Sequence, residues 1–443
     1  MDAKCGDEDM EDETRENKIH PEGQPAQDPE SVNCFPKEFM APGSGDVAVE
    51  IAKRPARSSR LAKHQTHQAG EQHLQFSVIT WNVGNAIPAQ TDIEQLLIPS
   101  EGLPVPDVVV VGLQECKYAT KGRKSGIDHV AHESGFNARD HFLGLCFVVL
   151  GEMWNSDFYC GDSTPDEEHV HLVASQQLME MRLYVFCRSS QERLIHSIEK
   201  GKEATGLGHI VGNKGGLAIK FNICGTSMCF ISCHLAAHDG QLQSRVSNIH
   251  EILSGVNLGD AMLDITSQFD HVFLLGDLNF RVDLTYLSDR KFKDNAEHVQ
   301  AVLDLVEKSE WETLYSADQL HRTQMNAHEL AGFKEGTYNF APTFKVRRQE
   351  GTEYNPQRIP SYCDRVLWRS LHPFVDDVQQ TCLESLVNVS SSDHKPVRSQ
   401  FTVFTRPKMA FLPLSESRAQ HNSWVVEVSG LEGTSLKSWD SNG

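Results

Sequence analysis

An α/β sandwich, two β-sheets packed face to face with helices outside, is the fold this 443-residue sequence predicts. Three observations point there. Strand-like runs outnumber helix-like ones along the chain. One of them, "VPDVVVVGLQE" (105–115), is an unbroken Val run of the kind found in strands buried on both faces. Another stretch, "GGLAIKFNICGTSMCFISCHL" (215–235), reads as two strands joined by a turn at "CGTS", which makes a hairpin.

Taken in order, residues 1 to about 50 are rich in Asp, Glu, Pro and Gly and poor in aromatics, the composition of a disordered segment. The sign then flips. "AKRPARSSRLAKH" (52–64) carries five Lys/Arg and no acid, and reads either as a solvated linker or as a contact for an anionic membrane surface. Order is expected to begin near Gln72. "LQFSVITWNV" (74–83) alternates and is β-branched, so it reads as a strand, and "MRLYVFCR" (181–188) reads as another. "QSRVSNIHEILSGV" (243–256) and "NAEHVQAVLDLVEKSEW" (295–311) have helical spacing. "FDHVFLLGD", "CDRVLWRS" (363–370) and "RSQFTVF" (398–404) complete the strands. The expected organisation is a segment 1–73, a single domain over 74–404, and a tail 405–443 in which "SWVVEVSG" is one more candidate strand.

The bulk numbers restrict the function. A hydrophobic fraction of 39% and a charged fraction of 23% suit a globular protein. No apolar run approaches the roughly 20 residues of a membrane span, and the acidic start "MDAKCGDEDMEDETREN" is not a signal peptide. The eleven Cys have no CxxC spacing, and Cys146, Cys229 and Cys233 lie in apolar runs. That pattern suits a reducing, cytoplasmic compartment rather than disulfides or a zinc site. A net charge of −20 argues against a nucleic-acid-coating protein but not against an anionic substrate in one cleft lined by cations.

The strands end in chemistry. "TWNVGN" delivers Asn82, "GLQE" delivers Glu115, and "CFISCHLAAH" delivers His234. "FLLGDLNF" delivers Asp277 and Asn279, which would share a face if the strand ran on that far; Gly-Asp-Leu-Asn is equally good turn chemistry. "SYCDRVLW" opens a strand with Asp364, and "SSSDHKPV" presents Asp393 and His394 before the last one. Each residue alone has a bland reading as a turn, a cap or a core histidine. Six separate loops doing this together point to a site built at strand ends on a rigid scaffold. Carboxylates, carboxamides and imidazoles without clustered thiolates suit a hard divalent ion such as magnesium. There is no P-loop. The composition therefore points to direct attack of water on a phosphate ester, with an Asp to orient or deprotonate it.

"TWNVGN", "GLQE", "GNKGG", "CHLAAH", "GDLNFR", "SYCDRVLW" and "SSDHKPV", in this order, resemble the inositol polyphosphate 5-phosphatase catalytic domain of the endonuclease/exonuclease/phosphatase superfamily. The resemblance covers roughly residues 74–404 and implies a four-layered, DNase I-like α/β sandwich. It also implies the roles. Magnesium would be held by Glu115 with Asn82 close by and Asp393 beside it. Asp277 would activate the water, Asn279 would hold the phosphate, and His394, oriented by Asp364, would bind the scissile group with His234. Lys214 would be a phosphate-side cation, with Arg281 and Arg365 near the site.

For the substrate, the resemblance implies a phosphoinositide met at a membrane surface, with soluble inositol polyphosphates as further candidates. The usual "PTYK" segment reads "PTFK" here, so Phe344 replaces Tyr while Lys345 is retained. In "NPQRIPSYCDR", Arg358 matches one basic position and Pro356 occupies another. "FKVRRQEGTEYNPQR" remains cationic and is a candidate 4-phosphate contact. "GEMWNSDFYCG" (151–161) reads as a loop whose aromatics either insert into an interface or pack on the core. A phosphodiesterase or nuclease of the same superfamily, and a non-catalytic phosphoinositide-binding adaptor, are the competing readings.

Overall fold

The computed structural model describes residues 72–117, 141–158, 168–205, 214–287, 291–324, 330–372 and 374–407, with side chains described to Ser156 in the second of these stretches. The acidic and basic N-terminal segments up to residue 71, and the tail strand "SWVVEVSG", lie outside the described residues.

Among the described residues, twelve strands form two six-stranded sheets. The first contains β1 (Gln72–Asn82), β2 (Val108–Gln114), β3 (Val170–Leu178), β4 (Met181–Arg188), β11 (Val378–Ser385) and β12 (Val397–Thr405), in the order β11-β12-β1-β2-β4-β3. The second contains β5 (Ile195–Ala204), β6 (Gly215–Ile223), β7 (Thr226–His234), β8 (His271–Asp277), β9 (Lys334–Glu335) and β10 (Asp364–Ser370), in the order β5-β6-β7-β8-β10-β9. Only β1/β2 and β7/β8 pair in parallel, so both sheets are mixed. The expected hairpin is β6–β7, with Ile223 opposite Thr226 across the turn.

Between the sheets lies a core of alternate residues from both, among them Phe76, Val78, Val110, Leu183, Phe230, Phe273 and Phe401. The other face of the first sheet packs on α1 (Gln90–Leu97) and α2 (His141–Phe158) through Ile79, Trp81, Val109, Val111 and Trp154. The other face of the second packs on α4 (Leu242–Gly255), which follows the short α3 (Ser189–Glu192), through Ile231, Cys233, Ile249, Ile252 and Leu274. Helix, sheet, sheet and helix make the four layers expected. Each central strand is therefore buried on both faces, which is why β2 could be an uninterrupted Val run. Cys146, Cys229 and Cys233 are buried free thiols.

Two expectations need correction. The helical pattern over 295–311 breaks in two, α5 (Asn295–Glu307) and α6 (Trp311–Ser316), because Ser309 takes a left-handed φ of 56° that a helix cannot contain. Residues 151–158 are not a loop but the last turns of α2. Trp154 is fully buried against the first sheet, and its Nε1–H donates to the Pro106 carbonyl at 2.7 Å, so this ring is not available to a membrane. The Phe158 side chain lies outside the described residues. Trp154→Ala is expected to cost about 3–5 kcal/mol of stability, read from urea unfolding, with lipid-vesicle binding unchanged. Weakened vesicle binding at full stability would restore the interfacial reading.

Candidate active site

Topology gathers the strand ends. Parallel β1 and β2 finish side by side, with Asn82 opposite Gln114, which places Glu115 next to them. Parallel β7 and β8 finish with His234 opposite Asp277. Antiparallel β10 starts where β8 stops, so Asp364 is also opposite Asp277. Antiparallel β12 is preceded by His394, Thr80 of β1 facing Val397 three residues later. One edge of the sandwich thus receives polar residues from six segments far apart in sequence.

The two sheets meet through Asn82, whose Nδ2 donates to Asp277 Oδ2 at 2.9 Å while its Oδ1 accepts from the Gly84 amide at 2.9 Å. Gly84 has a φ of 57°, and a Cβ there would lie 2.6 Å from Asp393 Oδ1, so only glycine lets this loop approach. Ser392 Oγ–H donates to the Asn82 carbonyl at 2.7 Å and accepts the His394 amide at 3.2 Å, which fixes the loop bearing His394. Asn279 is not presented by a continuing strand. β8 ends at Asp277, Asn279 adopts a left-handed φ of 56°, and its amide donates to Asp277 Oδ1 at 3.1 Å. The turn chemistry is real, and the turn itself delivers the side chain. Its Nδ2 donates to the Leu235 carbonyl at 3.2 Å, and its Oδ1 accepts from Arg281 at 2.7 Å.

Asp277, Asp364 and His394 each offer a ligand-type atom within 4.8 Å of the others. His394 Nδ1 is 2.9 Å from Asp364 Oδ2, which also accepts from Thr343 Oγ1 at 2.7 Å. Burial alone would push the His394 imidazole down, but the Asp364, Asp277 and Asp393 carboxylates outweigh it and raise it to about 9. A protonated imidazole bonded to a carboxylate is a proton donor, not a metal ligand, so this trio reads as acid–base machinery. Burial would push the Asp277 carboxyl up, but the His234 hydrogen bond and the charges around it hold it far below the usual carboxylate range. His234 Nε2 lies 3.3 Å from Asp277 Oδ2 and touches the Lys214 ammonium. Burial and that ammonium push its imidazole down, and burial pushes the Lys214 ammonium down as well.

The His394 shift has a sign that can be checked. Its folded value of about 9 lies above the ordinary 6.5, so its pairing stabilises the fold fully below pH 6.5 and that contribution is lost as pH rises through about 9. In metal-free protein the His394 ring is expected to stay protonated at pH 8 by nuclear magnetic resonance titration. A midpoint near 6.5 would contradict the ion pair.

Donors of the kind a divalent ion takes lie on the other flank. Glu115, half-buried with a left-handed φ of 56°, accepts a single bond of 3.3 Å from Asn85 Nδ2, leaving most of its carboxylate lone pairs unengaged. The ionised Asp277 lies across Asn82 from it. Carboxylate and amide oxygens with no thiolate fit a hard cation of the magnesium or calcium type.

The remaining predicted residues fall in three groups. Lys345 Nζ pairs with Asp393 Oδ2 at 3.0 Å, and Arg281 lies buried beside Asn279, both at the site. Arg358 is exposed on the turn after Asn355. Arg365 must be corrected. Successive residues of a strand face opposite ways, so with Asp364 in the site Arg365 points away from it. Its Nε, NH1 and NH2 are bonded to Glu335, Tyr338, Asp318 and the Tyr362 carbonyl, fully buried. Sequence reading missed Thr343, Asn85 and Arg245. Arg245 is fully buried on α4 and donates to the Ala236, His238 and Asp239 carbonyls, which anchors the loop after His234. An arginine on the apolar face of a helix was the available signal.

Residues 79–400 match the family described as Endonuclease/Exonuclease/phosphatase family 2. The chain belongs to that family. Among curated relatives, zebrafish (Danio rerio) phosphatidylinositol 3,4,5-trisphosphate 5-phosphatase 2B is 33% identical over 59% of this chain and 21% of its own length. Human (Homo sapiens) phosphatidylinositol 4,5-bisphosphate 5-phosphatase A is 29% identical over 74% of this chain and 30% of its own. The chain therefore spans a fifth to a third of the length of these relatives. Among solved structures, the inositol polyphosphate 5-phosphatase domain of SPsynaptojanin, crystallised with inositol (1,4)-bisphosphate and calcium, superimposes with a TM-score of 0.58 at 24% identity, covering 76% of this chain and 86% of that one. Cimex nitrophorin, solved as a ferrous NO complex, reaches 0.51 at 20% identity over 75% of this chain and 99% of its own. A family fold that also serves a nitric oxide complex does not decide function; the site residues must. Among the described residues no helix is long and apolar enough to cross a membrane.

Proposed function

We propose that the chain is a magnesium-dependent phosphatase that removes the 5-phosphate from phosphoinositides, the 4,5-bisphosphate and 3,4,5-trisphosphate lipids, at a membrane surface, with soluble inositol polyphosphates as further substrates. The buried Asp277–Asp364–His394 constellation carries the reading, and the names of the relatives favour this substrate class.

Glu115 would hold the metal, with Asn82 and Asp393 near it; when bound, the ion polarises a phosphoryl oxygen and screens its charge. Asp277, ionised and fixed by Asn82 and the Asn279 amide, takes a proton from the attacking water. His394, positive and oriented by Asp364, donates toward a phosphate oxygen. One amide hydrogen of Asn279 is engaged by Leu235, leaving the second for the phosphate. Lys214 and Arg281 supply further positive charge, and Lys345 and Arg358 are the candidates for a neighbouring phosphate. Arg347 is paired with Glu353 at 2.6 Å, and Arg348 donates to the Gly84 carbonyl at 2.6 Å, so the cationic stretch is partly neutralised internally.

Phosphate release from vesicles containing phosphatidylinositol 4,5-bisphosphate, measured beside plasmid nicking, tests the proposal. Release without nicking, dependent on magnesium, is expected. Nicking without release would move the chain to the nucleases, and lipid binding with neither activity would make it an adaptor.

A further inference from the structure

Phe344 replaces a tyrosine in the segment that resembles the phosphatase motif, and its surroundings give it a task that needs no hydroxyl. Its backbone is pinned on two sides. The Phe344 amide donates to the Ser361 carbonyl at 3.2 Å and the Ser361 amide returns to Phe344 O at 2.8 Å. On the other side Phe344 bridges His394, and the Lys395 amide donates to the Thr343 carbonyl at 3.0 Å. The ring is therefore delivered to one place.

There it meets three cationic side chains. Its centroid is 4.5 Å from the His394 ring, tilted by 36°. The Arg281 guanidinium carbon is 4.8 Å from the same centroid, and Lys345 Nζ is 5.8 Å from it. His394 is tied to Asp364 at Nδ1 alone, and one hydrogen bond leaves an imidazole free to rock about that bond. Arg281 is tied through Nε and NH2 to Asn279, the residue that turns out of β8. Each cation has its own carboxylate, Asp364 for His394, Asp393 for Lys345 and Asp239 for Arg281, and the electron-rich face of the aromatic ring adds a shared contact that fills the gap between them.

We propose that Phe344 is a positioning residue whose ring holds the His394 imidazole and the Arg281 guanidinium in register on the reacting phosphate. The inference rests on the phosphatase reading for its kinetic consequence, though not for its geometry. The ring acts through its π-face, so the aromatic character matters and the size alone does not.

The test compares full-length protein carrying Phe344→Tyr, Phe344→Met and pentafluorophenylalanine at position 344, a ring of similar shape with a reversed face. On phosphatidylinositol 4,5-bisphosphate vesicles with magnesium, Phe344→Met and the fluorinated ring are expected to lower kcat roughly tenfold with KM unchanged, and Phe344→Tyr to restore kcat. Wild-type kcat in both the Met and fluorinated proteins overturns the proposal, as does an equal loss in Tyr. If Phe344→Met fails to fold, the fluorinated protein decides. A second readout needs no turnover. In metal-free protein the His394 Cε1–H proton resonance is expected to be shifted by the ring in wild type and Phe344→Tyr and to move in Phe344→Met. A wild-type resonance with no ring shift overturns the placement. A ring shift in a protein that releases no phosphate overturns the functional reading and leaves the placement standing.

Discussion

Asp277→Asn is expected to lower kcat for phosphate release by roughly 10²–10⁴-fold, the usual range for removing a positioned general base. The substitution keeps the shape and removes the charge. Asp277 is held ionised at neutral pH by its neighbours, so in the native protein the charged form that orients the attacking water is the one present. An amide has no such form. The substitution also disturbs what surrounds it, because Asp277 receives the Asn82 Nδ2 at 2.9 Å on one oxygen and the Asn279 amide at 3.1 Å on the other. Asparagine has one acceptor oxygen, so one of these donors must face an amide NH2. In the proposed site Lys214, Arg281 and Lys345 carry the binding, so affinity for inositol phosphate should change far less than kcat. Calorimetric binding of a soluble inositol polyphosphate alongside the kinetics separates the two. A variant within tenfold of wild-type kcat would remove Asp277 from the chemistry. Isotope labelling refines the test: direct attack by water from ¹⁸O-enriched solvent places a single ¹⁸O in each phosphate released.

The site was legible where the fold obeys simple periods. An apolar run buried on both faces ends visibly, and the residue at its end can be named, as with Asn82, Glu115, His234 and Asp277. The strands that the sequence reading did not find are β3, β5, β9 and β11, and these are the four sheet edges. Edge strands face water and carry polar residues, as "IHSIEKGKEA" does in β5, so the apolar signal that marks a central strand is missing. Thr343 was not readable as a site residue for another reason, and Phe344 was read only as the replacement of a Tyr in the substrate segment. They reach His394 and Asp364 through isolated bridges of an irregular segment, and such pairing leaves no period in the sequence. Residues 151–158 were misread as a loop because their helix is apolar nearly all round, so an amphipathic pattern never forms. Arg365 is the opposite case. The two-residue period of β10 already places it on the face away from Asp364, and the adjacency of the two letters in one motif hid that.

Arg365→Leu should therefore act on the fold and not on the substrate, with a loss of about 3–5 kcal/mol of stability at neutral pH. The guanidinium is fully buried. It donates from Nε to Glu335 at 2.7 Å and to the Tyr338 hydroxyl at 2.8 Å, from NH1 to Asp318 at 2.8 Å, and from NH2 to Glu335 at 2.7 Å. Its removal leaves two carboxylates inside the protein with no counter-charge. Asp318 is already pushed up by burial even with Arg365 beside it, so without it the acid form becomes the comfortable one. This sets the pH dependence. Acids whose folded values lie above their unfolded ones weaken the fold above the unfolded value, so the deficit of Arg365→Leu is largest at pH 7–8 and shrinks as pH falls toward the carboxylate range. Urea unfolding at pH 7.5 and pH 5 reads both parts. Neutralising the acids as well, in Arg365→Leu/Asp318→Asn/Glu335→Gln, should recover part of the loss, and Arg365→Lys should fall between Leu and wild type, since an ammonium supplies charge but cannot reproduce the fork that grips both carboxylates. Near-wild-type stability combined with a tenfold rise in KM would show the guanidinium reaching the phosphate after all, and β10 would then have to present two consecutive residues to the same cleft, which the strand period forbids.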